Sequence, residues 1–201
     1  MTVVAGAAAP ADRPAATGRA RLRLVPLFCG QRAELLAPLA ERLERLLPVA
    51  VEPHPPGFDP ELAYDPSRGQ YNSRTLLAQL LGDANGADRI LGVAGVDLFI
   101  PVLTFVFGEA QLDGRAAVVS TRRLDNALYG LPEDPDLLFA RLVKEAVHEL
   151  GHTFALLHCP DGRCVMASST YVEQIDLKGE RFCDRCLDAL RAHPLVARGR
   201  G

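Results

Sequence analysis

The sequence predicts an α/β domain: a mixed, twisted sheet with helices packed on it, a long histidine-bearing helix, and a small C-terminal part gathered by cysteines. Three observations lead there. Helical and β-rich patterns follow one another from residue 21 to residue 124. The segment His148–Met166, "HELGHTFALLHCPDGRCVM", holds three of the five histidines, two of the five cysteines and one of the two methionines. Cys183 and Cys186 then supply a second close cysteine pair.

At 201 residues and 48% hydrophobic composition, the chain can bury an ordinary core without disulfides. The expected organisation is a flexible tail over 1–20 and one domain over 21–201. Within that domain, 21–155 would carry the sheet and the histidine helix, and 156–201 the cysteines. A net charge of -3 with no long Lys/Arg block leaves no electrostatic footprint for nucleic acid or an anionic membrane. Small molecules, peptides or proteins are the expected partners, and a monomer the expected state. The opening "MTVVAGAAAPADRPAATGRA" is Ala/Pro-rich, lacks a basic start and offers nothing long enough to cross a bilayer. A signal peptide is the alternative to a tail. The paired cysteines suit a reducing compartment, so a cytoplasmic location is expected.

From Arg21, "RLRLVPLF" alternates basic and apolar residues and reads as a first strand. After Cys29 and Gly30, "QRAELLAPLAERLERLLP" is helical up to Pro48, with Leu35, Leu39, Leu43 and Leu46 on its core face. Cys29 itself reads as a small buried apolar residue. The stretch "VAVEPHPPGFDPELAYDPSRGQ" holds five prolines and supports a short strand and a loop, with His54 a loop residue. "YNSRTLLAQLLGDANGADR" reads as a helix capped by Asn72 or Ser73, ending in a turn at Asn85 and Gly86. "RILGVAGVDLF", "LTFVFGEAQ" and "GRAAVVSTRRL" are three β-rich runs suited to adjacent strands of one sheet.

In "LPEDPDLLFARLVKEAVHELGHTF", Asp134 can cap a helix with Pro135 at its first position, where a missing N–H is harmless. Leu138, Leu142, Ala146, Leu150 and Phe154 form the apolar stripe. His148 and His152, four residues apart, share a face and can bind one ion. Glu149 can reach a water on that ion without joining its ligands, as a general base for hydrolysis requires. His158, six residues after His152, joins them only where the chain turns out of the helix. Three histidines would leave a fourth position for water, the mark of a catalytic rather than a closed zinc site. The same motif also arises by chance in charged helices.

Cys159 and Cys164 are separated by four residues and Cys183 and Cys186 by two, a layout that satisfies an all-cysteine structural zinc site. Two disulfides or four buried thiols are the alternatives. A zinc-ribbon nucleic-acid module uses similar pairs. Here, though, residues 159–201 hold seven Lys/Arg against six Asp/Glu, too balanced to track phosphates.

Together these residues resemble the archaemetzincin family of metzincin-clan, zincin-like metallopeptidases. Its signature runs HExxHxxGxxHC, four residues, CxM, a spacer and CxxC. The match falls on His148, Glu149, His152, His158, Cys159, Cys164, Met166, Cys183 and Cys186. The upstream "FVFGEA" and "STRRL" extend the resemblance over about Arg21 to Leu190. It implies two zinc ions per chain: a catalytic one on His148, His152 and His158, and a structural one on the four cysteines. Glu149 would be the catalytic base, and Met166 would lie in the tight turn beneath the catalytic metal. The implied activity is zinc-dependent hydrolysis of peptide bonds by Glu149-assisted attack of a zinc-bound water. The implied partner is a peptide or protein substrate. The alternative is a zinc-stabilised peptide-binding or structural protein with little hydrolytic activity.

Two departures stand out: Ala155 replaces the signature's glycine, and the spacer after Met166 is one residue short. By the same analogy, "TFVFGEA" is the sheet's edge strand, with Phe105, Phe107 and Gly108 against substrate. Glu109 would face the cleft or merely charge the edge. Tyr171 would approach the metal or pack elsewhere.

Overall fold

A computed structural model describes residues 19–197. The tail expected over 1–20 lies outside the described residues except for Arg19 and Ala20, and Ala20 already opens the first strand. In chain order the elements are β1 (Ala20–Leu27), α1 (Leu36–Leu46), β2 (Val49–Pro53), β3 (Tyr64–Asp65), β4 (Gln70–Asn72), α2 (Ser73–Gly82), β5 (Arg89–Ala94), β6 (Leu98–Phe99), β7 (Gly108–Ala110) and β8 (Ala116–Ser120). Four helices follow: α3 (Pro135–Thr153), α4 (Val172–Leu177), α5 (Asp184–Ala192) and α6 (Pro194–Ala197).

The main sheet has the order β2-β1-β5-β8-β7. Its first four strands are parallel, and β7 runs antiparallel along the edge of β8. Parallel strands need both faces covered, and every residue of β5 and β8 is buried accordingly. On one face α2 packs Leu76, Leu77 and Leu80 against Val25, Leu27, Ile90 and Val118. On the other, α1 and α3 pack Leu39, Leu43, Leu142, Ala146 and Leu150 against Leu22, Leu24, Leu91, Val93 and Val119. Each fully buried leucine contributes roughly 1.5–3 kcal/mol, so α3 is seated firmly by its apolar stripe. Asp134 caps α3 by accepting from the Leu137 N–H (3.0 Å), with Pro135 at the first position, and Asn72 caps α2 through the Arg74 N–H (3.0 Å).

Three expectations need adjusting. The helix after Cys29 opens as a 3-10 turn over Gly30–Leu35 and becomes α-helical only at Leu36, with no side-chain cap at its start. Leu39 and Leu43 are fully buried, while Leu35 and Leu46 are half-buried. The three β-rich runs do share a sheet, but β8 sits between β5 and β7, and Leu98–Phe99 leaves for a second sheet of order β3-β4-β6. That small sheet draws on the proline-rich stretch, where Tyr64–Asp65 pairs antiparallel with Gln70–Tyr71. Finally, the run "LTFVFGEAQ" is a regular strand only over Gly108–Ala110. Before it, Val106 pairs in an isolated bridge to Leu98 and the Phe107 carbonyl accepts from the Ser120 N–H (2.8 Å), while the Leu103 and Thr104 carbonyls are taken by side chains.

The C-terminal segment shares the main core rather than standing on metal alone. Leu156, Val165, Met166, Val172, Ile175 and Leu190 belong to the same apolar cluster as α1 and α3.

Candidate active site and metal centres

The last two turns of α3 carry His148, Glu149 and His152. The helix ends at Phe154, and the chain reverses through Ala155 at φ 64°. The Ala155 N–H donates to the His152 carbonyl (3.0 Å) and the Leu156 N–H to Gly151 (3.1 Å), the paired bonds of a Schellman turn. A glycine is the usual residue there, and alanine adopts it at a cost of about 1–2 kcal/mol. The turn brings His158 back to the helix. The ring nitrogens of His148, His152 and His158 that could serve as ligands all lie within 4.8 Å of one another.

The backbone fixes the tautomers. His148 Nδ1 lies 2.9 Å from the Val165 carbonyl and His152 Nδ1 lies 2.7 Å from the Leu156 carbonyl. Carbonyls only accept, so both Nδ1 atoms carry the proton and both Nε2 atoms present lone pairs. Those two Nε2 atoms are 3.2 Å apart, and in these tautomers neither can donate to the other. A cation shared by the three rings would relieve that arrangement, and the carbonyl-backed imidazole is the usual support of a metal ligand. Burial, with Lys178 adding to it, pushes His148 down to about 3, so its imidazole stays neutral and able to ligate. Burial also lowers His152.

Glu149 is buried, and desolvation, reinforced by Glu145, raises its pKa well above the carboxylate range, with Lys178 opposing. Gly108 of β7 lies directly over it. A side-chain carbon at 108 would stand 2.7 Å from Glu149 Cγ and 2.7 Å from the Val118 carbonyl oxygen, so only glycine lets the edge strand approach the carboxylate. Gly151 has a matching role on the other side of α3, where an added carbon would collide with the Met166 sulfur. Met166 is fully buried beneath the histidine helix, and Val165 beside it is the residue that holds His148.

A cleft of about 350 Å³ opens over this group. One wall is Leu103–Gly108, including Phe105 and Phe107, whose rings meet edge to face at 5.3 Å. The other is Ser168–Thr170, and the floor is Glu145, His148 and Glu149. Glu109 is turned away: it accepts from Ser73 Oγ (2.5 Å) and pairs with Arg74 (3.4 Å) on the α2 side. Tyr171 is exposed at the start of α4, outside the walls of the cleft. His54 lies in its loop, its N–H bonded to the Leu24 carbonyl (2.8 Å). Cys29 is buried against the Val93 carbonyl (3.1 Å).

The cysteines form a second group directly beyond His158. The sulfurs of Cys159, Cys164, Cys183 and Cys186 lie within 4.8 Å of one another and no disulfide joins them. Cys159 Sγ and Cys183 Sγ are 3.7 Å apart. Zn–S bonds of about 2.3 Å at tetrahedral angles place sulfurs about 3.8 Å apart, so the spacing fits that ion. The Cys183 N–H donates to Cys164 Sγ (3.3 Å) and Arg185 to Cys159 Sγ (3.3 Å), and both bonds favour thiolates. Burial works against ionisation of Cys159, yet bonds from the Asp161 N–H, Arg185 and the neighbouring thiols bring it down to about 7.

Sequence reasoning missed the ion pair behind the cleft floor. Lys178 and Glu145 are both buried and meet at 2.8 Å, and Lys178 also donates to the Ala167 carbonyl (3.1 Å). Glu145 precedes Glu149 by one helical turn, a signal visible in the sequence; Lys178 lies far along the chain and carries none.

An edge strand over a helix that bears two imidazoles and a buried glutamate, joined by a third imidazole from the turn beyond it and backed by a buried methionine, defines a zinc metallopeptidase of the metzincin class. Residues 58–192 match peptidase family M54, and the chain belongs to that family. Archaemetzincin of Methanopyrus kandleri is 49% identical over 132 residues, 66% of this chain and 72% of that protein. Its counterpart from Methanocaldococcus jannaschii is 46% identical with the same coverage. Among solved structures, Methanopyrus kandleri archaemetzincin superposes with a TM-score of 0.79 at 39% identity, covering 90% of this chain and 98% of that one. A zinc-dependent peptidase of Methanocorpusculum labreanum gives 0.75 at 31% identity, covering 84% and 99%. Archaemetzincin of Archaeoglobus fulgidus, solved with malonate, gives 0.67 at 34% identity with the same coverage.

Proposed function

We propose that His148, His152 and His158 hold the catalytic zinc, that Glu149 is the general base, and that Cys159, Cys164, Cys183 and Cys186 hold a second, structural zinc, two ions per chain. The observation that carries this reading is the commitment of both helical Nδ1 atoms to carbonyls, which leaves unprotonated Nε2 atoms 3.2 Å apart. When bound there, zinc supplies a Lewis acid that acidifies water and polarises a peptide carbonyl.

This chain's residues do the rest. Glu149, desolvated at the cleft floor, takes the proton of the attacking water and returns it to the leaving nitrogen. Phe105, Phe107 and Gly108 form the wall on which an extended peptide lies. Met166 supports the histidines from below without ligating. The division into 21–155 and 156–201 falls at the Schellman turn, where the sheet and helix hand over to the cysteine-bearing part. Free thiols gathered for metal suit the reducing cytoplasm. Among the described residues, no helix is long and apolar enough to cross a membrane.

The test is a peptide library profiled by mass spectrometry, with zinc-loaded protein beside Glu149→Gln. Cleavage should disappear in the variant, a loss of at least about 10³-fold, while its zinc content stays at the parent level. Cleavage that persists removes Glu149 from its role, and equal capture of peptides without turnover in both proteins favours the binding alternative.

A further inference from the structure

The wall Leu103–Phe107 is irregular, yet it lines the cleft, and one strand bridge does not hold five residues in place. Backbone bonds hold its two ends, from the Leu103 N–H to the Ile100 carbonyl (3.0 Å) and from the Ser120 N–H to the Phe107 carbonyl (2.8 Å). Side chains from three separate segments hold the Leu103–Phe105 stretch between them. Arg68 Nη2 donates to the carbonyls of Leu103 (2.9 Å) and Thr104 (3.3 Å). Gln70 Nε2 donates to the Thr104 carbonyl (3.0 Å) and to Asp97 Oδ2 (2.9 Å). Asp97 in turn accepts a two-pronged bond from Arg123, at 2.6 Å from Nε and 2.7 Å from Nη2. The Arg123 guanidinium then lies 4.0 Å from the centre of the Phe105 ring. A planar guanidinium can hold a carboxylate by its edge and an aromatic ring by its face at once, which an ammonium cannot.

We propose that Arg123 is a positioning residue for peptide cleavage. It fixes the Phe105 side of the cleft wall from behind, through the ring directly and through Asp97 and Gln70 to the Thr104 backbone. The inference rests on the reading of Leu103–Gly108 as the substrate wall. It also gives a role to "STRRL", which carries Arg123 and contributes nothing to the metal centres. Because Arg123 acts on the wall and not on Glu149 or the histidines, its loss should weaken substrate binding far more than turnover.

The experiment compares Arg123→Met, Arg123→Lys, Asp97→Asn and Phe105→Ala in zinc-loaded protein. It uses a quenched fluorescent peptide chosen from the library cleavages. A fluorescein-labelled Pro-Leu-Gly hydroxamate serves as a binding probe that needs no turnover. Arg123→Met should raise KM and the hydroxamate Kd about tenfold, with kcat within about twofold, and zinc content and Tm near the parent values. Amide hydrogen exchange over 102–108 should quicken while α3 keeps its protection. Asp97→Asn should repeat the effect more weakly, and Arg123→Lys should recover only part of it.

If Phe105→Ala leaves KM and Kd unchanged, the wall itself is misassigned. If Phe105→Ala raises them and Arg123→Met does not, the wall stands and the positioning role falls. Loss of zinc or a collapse of Tm in both Arg123 variants and Asp97→Asn would reduce the network to a structural one and overturn the proposal.

Discussion

The histidine and cysteine groups begin on consecutive residues, His158 and Cys159, yet they are assembled in opposite ways. The histidine group takes two of its members from one regular helix and the third, which is exposed, from the segment after it, and it opens to a cleft. The cysteine group draws on a loop and on the first turn of α5, and three of its four members are buried. One presents three ligand atoms and open space; the other presents four and closes on itself. The contrast separates what a catalytic metal needs, an accessible position and a base beside it, from what a structural one needs, a complete set of ligands.

The sharpest way to break that contrast is to remove one centre at a time. Cys183→Ser with Cys186→Ser should lower zinc from two ions to one per chain and cost on the order of 5 kcal/mol or more of stability, because ligand and fold are lost together. His158→Gln should also remove one zinc, yet shift Tm by only a few degrees, since the exposed ring contributes little packing. Metal analysis and thermal unfolding of both variants decide the matter. A large Tm loss in His158→Gln with a small one in the cysteine variant would reverse the assigned roles.

How far the sequence foretold each centre follows from the same contrast. The candidate ligands are legible because few residue types bind zinc and their spacing is local: His148 and His152 on one helical face, cysteines in close pairs. What supports them is not legible. The carbonyls of Val165 and Leu156 that orient the imidazoles are backbone groups, which any residue supplies. The buried partner of Glu145, Lys178, lies 33 residues away with no pattern joining them. The fold divides the same way. The stripe on α3 and the caps Asp134 and Asn72 were readable from periodicity and side-chain chemistry. The interruption of "LTFVFGEAQ" was not, because its apolar alternation suits a strand and only the distant Arg68 and Gln70 divert its carbonyls. The direction of Glu109 depends on Ser73 and Arg74, which only the packing of α2 against the edge of the sheet brings near.

A second test uses pH on protein stripped of metal. Burial holds the folded His148 pKa at about 3, against an ordinary 6.5. The unfolded chain therefore binds more protons between those values, so His148 stabilises the fold above pH 6.5 and loses that contribution as pH falls toward 3. The full span is about 5 kcal/mol, or about 1.4 kcal/mol per pH unit. His152 shifts in the same direction and adds to the slope. Urea unfolding between pH 7.5 and 5.5 should show stability falling with pH, and His148→Leu should flatten the curve. Cys159, lowered to about 7 from about 9, runs the same way in a higher window: its contribution is present above pH 9 and is lost as pH falls through 7. A metal-free protein whose stability does not change below pH 6.5 would mean that the histidines are not desolvated as the structure places them.

The smallest effect concerns the turn that joins the two centres. Ala155 sits at φ 64° with its side chain exposed, so its methyl group gains little burial in return for a left-handed backbone. Ala155→Gly relieves about 1–2 kcal/mol of conformational strain and adds about 0.4–1 kcal/mol of chain entropy to the unfolded state. The net expectation is a gain between about 0 and 1.6 kcal/mol, a Tm rise of up to about 6 °C for a chain of this size. Zinc content should not change, because the Leu156 carbonyl that orients His152 is held by the Schellman bonds whichever residue occupies 155. A rise in Tm with constant zinc would show that this turn carries strain the histidine centre tolerates. A fall would show that the methyl group, at the rim of the hollow between Phe154 and His193, packs better than its exposure suggests. Either way the result separates the cost of bending the chain from the cost of placing His158, the residue at which the histidine group meets the cysteine group.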